Sequence, residues 1–280
     1  MGNVLEFCQK NGWQAELELG FVPVGERTVL QHRRHRGPLV VQRPFYPEGD
    51  AVCHAIVLHP PGGVVGGDRL QLNVTVAGGA RALLTTPAAN KFYRGDIAAT
   101  MVQTFSVSAG AVLEWLPQET ICFRGAQAEM TTRVELAQEG VFVGWEMVCL
   151  GRPAAAEAFT AGRARLRFEL WRDGRPLLLE RGCFAAGDVV FGAAWGLQGR
   201  ALTGTMVCTV DHPGAVAAVR DGVAPPAAGL FSVSQLDGVL VCRYLGDQAC
   251  EARFCFEQAW RVLRPLAVGR EACSPRIWKT

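Results

Sequence analysis

Apolar and polar residues alternate along much of this chain, the period of a strand with one face buried. From Arg163 to Leu170, Ala164, Leu166, Phe168 and Leu170 fall on one side and Arg163, Arg165, Arg167 and Glu169 on the other. The Asp173-Gly174 step that follows suits a two-residue hairpin turn, with Pro176–Glu180 as the returning strand. Leu70, Leu72, Val74 and Val76 alternate in the same way with Gln71, Asn73 and Thr75. Further strands are expected at Thr28–Leu30, Leu39–Gln42, His54–Leu58, Met101–Ser108, Ala111–Leu116, Thr131–Ala137, Val141–Cys149, Thr203–Thr209 and Val239–Tyr244.

Gly-rich and Pro-rich turns separate these segments at short intervals up to about residue 210, a rhythm that predicts an all-β architecture. Two helices are expected after it. One spans Pro213–Arg220, with Pro213 in its first turn and Gly222 at its C-terminal end. The other runs Gln248–Leu263, with Asp247 as N-cap and Pro265 stopping it. With no low-complexity linker, long charge run or strict internal repeat, the economical reading is a single domain over 1–280.

A hydrophobic content of 49% and a charged content of 19% in 280 residues suit a folded, soluble protein. The formal charge of +2 is too small for a nucleic-acid protein. The basic run His32-Arg33-Arg34-His35-Arg36 is local and reads as a solvated loop or turn, or as a docking patch for an acidic partner. No leader pattern opens the chain and no apolar run has the length of a membrane span, so a cytoplasmic location is expected. The ten cysteines include no C-x-x-C pair and most lie in apolar runs, which suits reduced core thiols.

The segment HPPGGVVGGDRL, from His59 to Leu70, is the most specific stretch of the chain. Its prolines fix φ angles and its glycines open conformations closed to other residues, so it sets a backbone shape that ends at Asp68. It is no phosphate cradle, because Asp68 and Arg69 stand where a P-loop needs Lys and Ser or Thr. A strand follows it, whereas a Rossmann turn needs a helix. The chain has neither G-x-S-x-G nor H-E-x-x-H, and its five histidines make a His-rich catalytic site hard to assemble. His54 and His59 read as structural; with Cys149 they form one competing reading, a metal-dependent hydrolase.

Single carboxylates embedded in apolar strands are the chemical oddity that remains: Glu114 in VLEWL, Glu146 in VFVGWEMVCL and Glu180 in PLLLERG, with Asp68 closing the glycine loop. A buried charge loses hydration unless it is paired or faces a wet cavity. Each acid therefore has a partner within the sheet, or together they line a polar interior path. Sparse oxygen ligands along such a path would bind a divalent cation transiently. Asp68 also suits a purely structural role, accepting backbone N–H bonds in its own turn.

The motifs HPPGGVVGGDRL, LLTTPAANKFYR, LEWLPQETICFRGA, GWEMVCLGRPAAAEAF and RDGRPLLLER, and the closing LRP and PRIWKT, occur together and in order. In this the chain resembles the urease accessory protein UreD family, also called UreH, over essentially its whole length. Ala156 departs from the family, which commonly has glycine there, while Glu157 is retained.

The resemblance implies a β-rich helicoid of stacked sheets with about two α-helices toward the C-terminus. It also implies a non-enzymatic maturation factor that helps insert nickel into apo-urease. Family members bind the helical partner UreF and through it the GTPase UreG, and the complex engages the urease apoprotein. GTP belongs to the GTPase, so no tightly bound cofactor is expected here beyond transient Ni²⁺. On this reading Asp68, Glu146 and Glu180 line a nickel route with Asn90 and His59, while Trp260 and Trp278 offer partner-binding surface near the C-terminus. The alternative is a purely structural adaptor that recruits the GTPase and never handles nickel.

Overall fold

Side chains that alternate along a strand need a core on one face only, whereas strands apolar at every position need one on both. The computed structural model of the chain, which describes residues 12–279, contains both kinds. The strands are β1 (Gln14–Val24), β2 (Arg27–Arg36), β3 (Val40–Val41), β4 (Cys53–Leu58), β5 (Arg69–Val76), β6 (Arg81–Thr85), β7 (Asn90–Phe92), β8 (Ala99–Val107) and β9 (Val112–Leu116). They continue with β10 (Thr120–Cys122), β11 (Gln127–Leu136), β12 (Val141–Arg152), β13 (Glu157–Ala158), β14 (Arg163–Arg172), β15 (Arg175–Ala185) and β16 (Leu202–Cys208). Helix α1 (Ala215–Gly222) precedes β17 (Leu230–Leu236) and β18 (Val239–Gly246), and α2 (Ala249–Val268) follows.

One sheet has the order β15-β14-β11-β8-β5-β1-β2; the path of the other is β17-β18-β16-β12-β9-β6-β4-β3. From β5 to β14 the chain passes from one sheet to the other and back. The pairs β5/β8, β8/β11 and β11/β14 are therefore parallel, as are β6/β9 and β9/β12. This winding is the helicoid. Its corners stack: Ser108 N donates to Val76 O at 3.0 Å and Ala137 N to Val107 O at 2.9 Å. Each corner closes with the same short turn, in bonds from Ala80 N to Ala77 O, Ala111 N to Ser108 O and Gly140 N to Ala137 O. The fourth residue of the three equivalent stretches, VAGGA, VSAGA and LAQEG, is left-handed: Gly79, Gly110 and Glu139 have φ of 80°, 67° and 63°.

The two sheets enclose one core, which includes Leu17, Phe21, Leu72, Phe105, Trp115, Phe142 and Leu170. A second core lies between the back of the second sheet and the helices, with Trp145, Met206, Tyr244, Phe256, Trp260 and Leu263. Strand β12 serves both: Phe142, Val148 and Leu150 face the first, and Val143, Trp145, Met147 and Cys149 the second. That double duty explains its nearly unbroken apolar sequence.

Several expectations need correction. The basic run His32–Arg36 is neither loop nor turn but the exposed end of strand β2. Helix α2 does not stop before Pro265; it runs on to Val268 and ends at Gly269, whose φ is 71°. Burial of Leu263, Arg264 and Val268 holds the helix together across the missing N–H. Asp247 does not cap that helix, because its carboxylate accepts from Ala201 N and Arg200 Nη1, both at 2.9 Å. Strands β1, β7, β10, β13 and β17 add to those expected. The hairpin at Asp173-Gly174 forms with both residues at positive φ, 48° and 76°, which suits the twist of its strands.

Candidate functional site

Because side chains alternate, the inward phases of β8, β11 and β12 bring Gln103, Thr132 and Glu146 together between the sheets, amid apolar neighbours. Thr132 Oγ1 lies within hydrogen-bonding distance of both Glu146 Oε1 and Gln103 Oε1, the latter at 3.2 Å. One hydroxyl hydrogen cannot serve two acceptors. The closer contact, to Glu146, takes the Thr132 hydrogen, and Gln103 Nε2 donates to Met101 Sδ at 3.6 Å. Burial pushes the Glu146 carboxyl up to about 7; the Thr132 hydrogen bond opposes this and the nearby Glu180 adds to it. Thr132 is the one hydrogen-bond partner of Glu146 among the described residues.

Glu146, Val148 and Leu166 form a wall common to two adjoining cavities. The first, about 170 Å³, is lined also by His59, Asn90, Met101 and Gln103. The second, about 320 Å³, reaches Glu180, Arg181 and Arg243. The structure thus places four of the expected lining residues in these two adjoining cavities, His59 and Asn90 in the first, Glu180 in the second and Glu146 in the wall they share. Asn90 Nδ2 donates to Met101 Sδ at 3.5 Å. His59 Nε2 is buried with no hydrogen-bond partner among the described residues, and burial lowers the pKa of the ring against the pull of Asp68. At the far end, Arg243 Nη2 donates to Glu180 Oε1.

Asp68 lines neither cavity. Its Oδ1 accepts from Trp13 N at 2.8 Å and its Oδ2 from Val65 N at 2.9 Å, so the carboxylate fastens the glycine loop to the beginning of β1. Glu114 points the other way, into the helix-side core. It accepts from Trp260 Nε1 at 2.6 Å and from Arg264, which also binds Glu48. Glu48 takes His54 Nε2 at 2.6 Å.

Trp260 offers no surface to a partner, being 0% exposed. Trp278 is turned inward too: Nε1 donates to Thr85 Oγ1 at 2.9 Å, and the ring packs 5.7 Å from Trp145 and 5.8 Å from Trp260. Large aromatics near the terminus bury against their own chain here. The hydrolase set is not assembled, since His54 pairs with Glu48 and Cys149 faces the helices. No three His, Cys, Asp or Glu side chains converge as a metal-binding group among the described residues.

Thr132, Gln103 and Arg243 were not singled out from the sequence. Thr132 and Gln103 did leave a signal, as polar residues in the buried phase of otherwise apolar alternations, Ala128-Met130-Thr132-Val134 and Met101-Gln103-Phe105-Val107. Arg243 gave none.

A family model described as "UreD urease accessory protein" matches residues 14–279. The chain is similar to a "Urease accessory protein UreD" of Dechloromonas aromatica, 47% identical over 273 residues that cover 96% of this chain and 95% of the relative. A protein of the same name from Azoarcus sp. is 49% identical over 271 residues, covering 96% and 95%. "Urease accessory protein UreD 2" of Brucella anthropi is 46% identical, covering 96% and 99%.

Proposed function

Since the chain belongs to the UreD urease accessory protein family, which gives it a role in urease maturation, we propose that it helps insert nickel into apo-urease by passing Ni²⁺ through the space between its two sheets. Its relatives are named accessory proteins, not enzymes. In this reading the chain works in the cytoplasm as a scaffold that joins UreF and the GTPase UreG to the urease apoprotein. Nickel is cargo, and GTP is bound and hydrolysed by the partner.

The observation that carries the reading is Glu146, a carboxyl group held between two cavities with no ion-pair partner among the described residues. A charge so placed is costly, and a fold that needed only stability would keep an apolar residue there. His59, Asn90 and Glu180 space further donors along the passage, too far from a full ligand set to trap an ion. Reconstituted urease activation tests it. Glu146→Ala and Glu180→Ala should lower the yield of active urease while pull-down of the partners is unchanged; loss of assembly in step with activation would mean that these acids are structural.

Arg243 favours a second reading, a purely structural adaptor that never touches nickel, because its guanidinium already occupies Glu180. Equilibrium dialysis of the complex with Ni²⁺ separates the two. An adaptor binds none above background and is indifferent to the carboxylate variants, whereas a conduit binds weakly and loses that binding in Glu146→Ala.

A further inference from the structure

Strand β2 ends in five consecutive basic residues, His32 to Arg36, and its ten residues include no acid. Among the described residues it is the last strand of its sheet and pairs only with β1, so its other edge presents unpaired backbone groups. The start of that edge is covered, by Thr28 N on Asp50 O at 3.0 Å and Thr28 Oγ1 on Ala51 O at 2.8 Å. From Gln31 to Arg36 every residue is exposed.

The register divides the charges between both faces. Arg33 and His35 stand opposite Leu19 and Leu17, on the core side of the sheet, while His32, Arg34 and Arg36 stand opposite Gly20, Glu18 and Glu16. Glu18 engages His32 at 3.3 Å and Arg34 at 3.8 Å. The side chains of Arg33, His35 and Arg36 have no hydrogen-bond or ion-pair partner among the described residues.

We propose that the open edge of β2, from Gln31 to Arg36, docks an acidic extended segment of a partner protein, which adds to the sheet as a further strand. A strand laid there sends alternate side chains to opposite faces, so acids along it meet Arg33 and His35 on one face and Arg34 and Arg36 on the other. Backbone bonds set the register and the charges select the sequence. The cation passage plays no part in this contact.

Fluorescence anisotropy of the full chain with a labelled peptide alternating Glu and Val tests the proposal. Two controls carry equal charge: a peptide with Pro in place of Val, which cannot join a ladder, and a single-stranded oligothymidylate. The Glu-Val peptide should bind, and weaken by about tenfold or more in Arg33→Gln/Arg36→Gln and in high salt. Amide exchange at 31–36 should slow when it binds, a readout that needs no variant. The proposal is overturned by equal binding of the Pro peptide or the oligonucleotide, by binding indifferent to the variant, or by none at low salt; the last leaves the charges as a guard against edge-to-edge aggregation.

Discussion

At the scale of single residues, Glu146 and Glu48 show how surroundings move the same group in opposite directions. Burial raises Glu146 from its ordinary 4.5 to about 7. Burial also pushes Glu48 up, but His54 and Arg264 outweigh it and hold the carboxyl at about 2. Their effects on stability therefore have opposite signs. Glu146 costs nothing below pH 4.5; between 4.5 and about 7 the unfolded chain gives up a proton that the folded chain keeps, so stability falls across that window and levels off above it. Glu146→Gln should remove that decline, so that urea melts at pH 5 and pH 8 differ less than in the parent chain. Glu48 contributes stability above 4.5 that is lost as pH falls toward 2, and Glu48→Gln should flatten the acid limb. Ala156 is a third residue defined by its place, left-handed at φ 53° after a 3₁₀ turn. A glycine there would take this conformation without strain. Ala156→Gly should stabilise the chain by roughly 0.5–1 kcal/mol in thermal or urea melts.

At the scale of elements, the stacked corners are the repeating unit of the helicoid. Gly110 has open space around its missing side chain, so Gly110→Ala tests the backbone alone. It should destabilise by about 1 kcal/mol, and Glu139→Gly at the equivalent corner should stabilise by a similar amount. If both changes moved stability the same way, the corners would not be equivalent. The repeat is hidden in the sequence because each corner demands only a left-handed residue followed by a small one, a condition that VAGGA and LAQEG meet with few letters in common.

At the scale of the whole molecule, one buried arginine ties the helical layer to the sheets. Arg264 on α2 is 0% exposed and bridges Glu114 of β9 and Glu48 of the loop before β4. Cutting such a network from one side leaves charges without compensation. Arg264→Ala should cost about 3–5 kcal/mol, while adding Glu48→Gln and Glu114→Gln to Arg264→Met should recover most of that loss. Urea melts of the two variants measure the difference. Recovery would show the network to be an anchor for α2 whose charge is dispensable.

The alternation of Arg163–Leu170, the Asp173-Gly174 turn and the excess of strand before the helices were determined by the sequence, because each depends on neighbours one to four residues apart. The carboxylates in apolar strands were legible as oddities for the same reason. Where each one points was not, since that depends on which sheet face a strand shares with another. Glu146 and Glu114 look alike in sequence; β12 turns one into a cavity, and β9 turns the other onto Arg264, 150 residues away. Asp68 became a clamp and Trp260 a core residue by the same kind of decision. Pairing across long loops, and the desolvation it imposes, is set only when the two sheets and the helical layer close on one another.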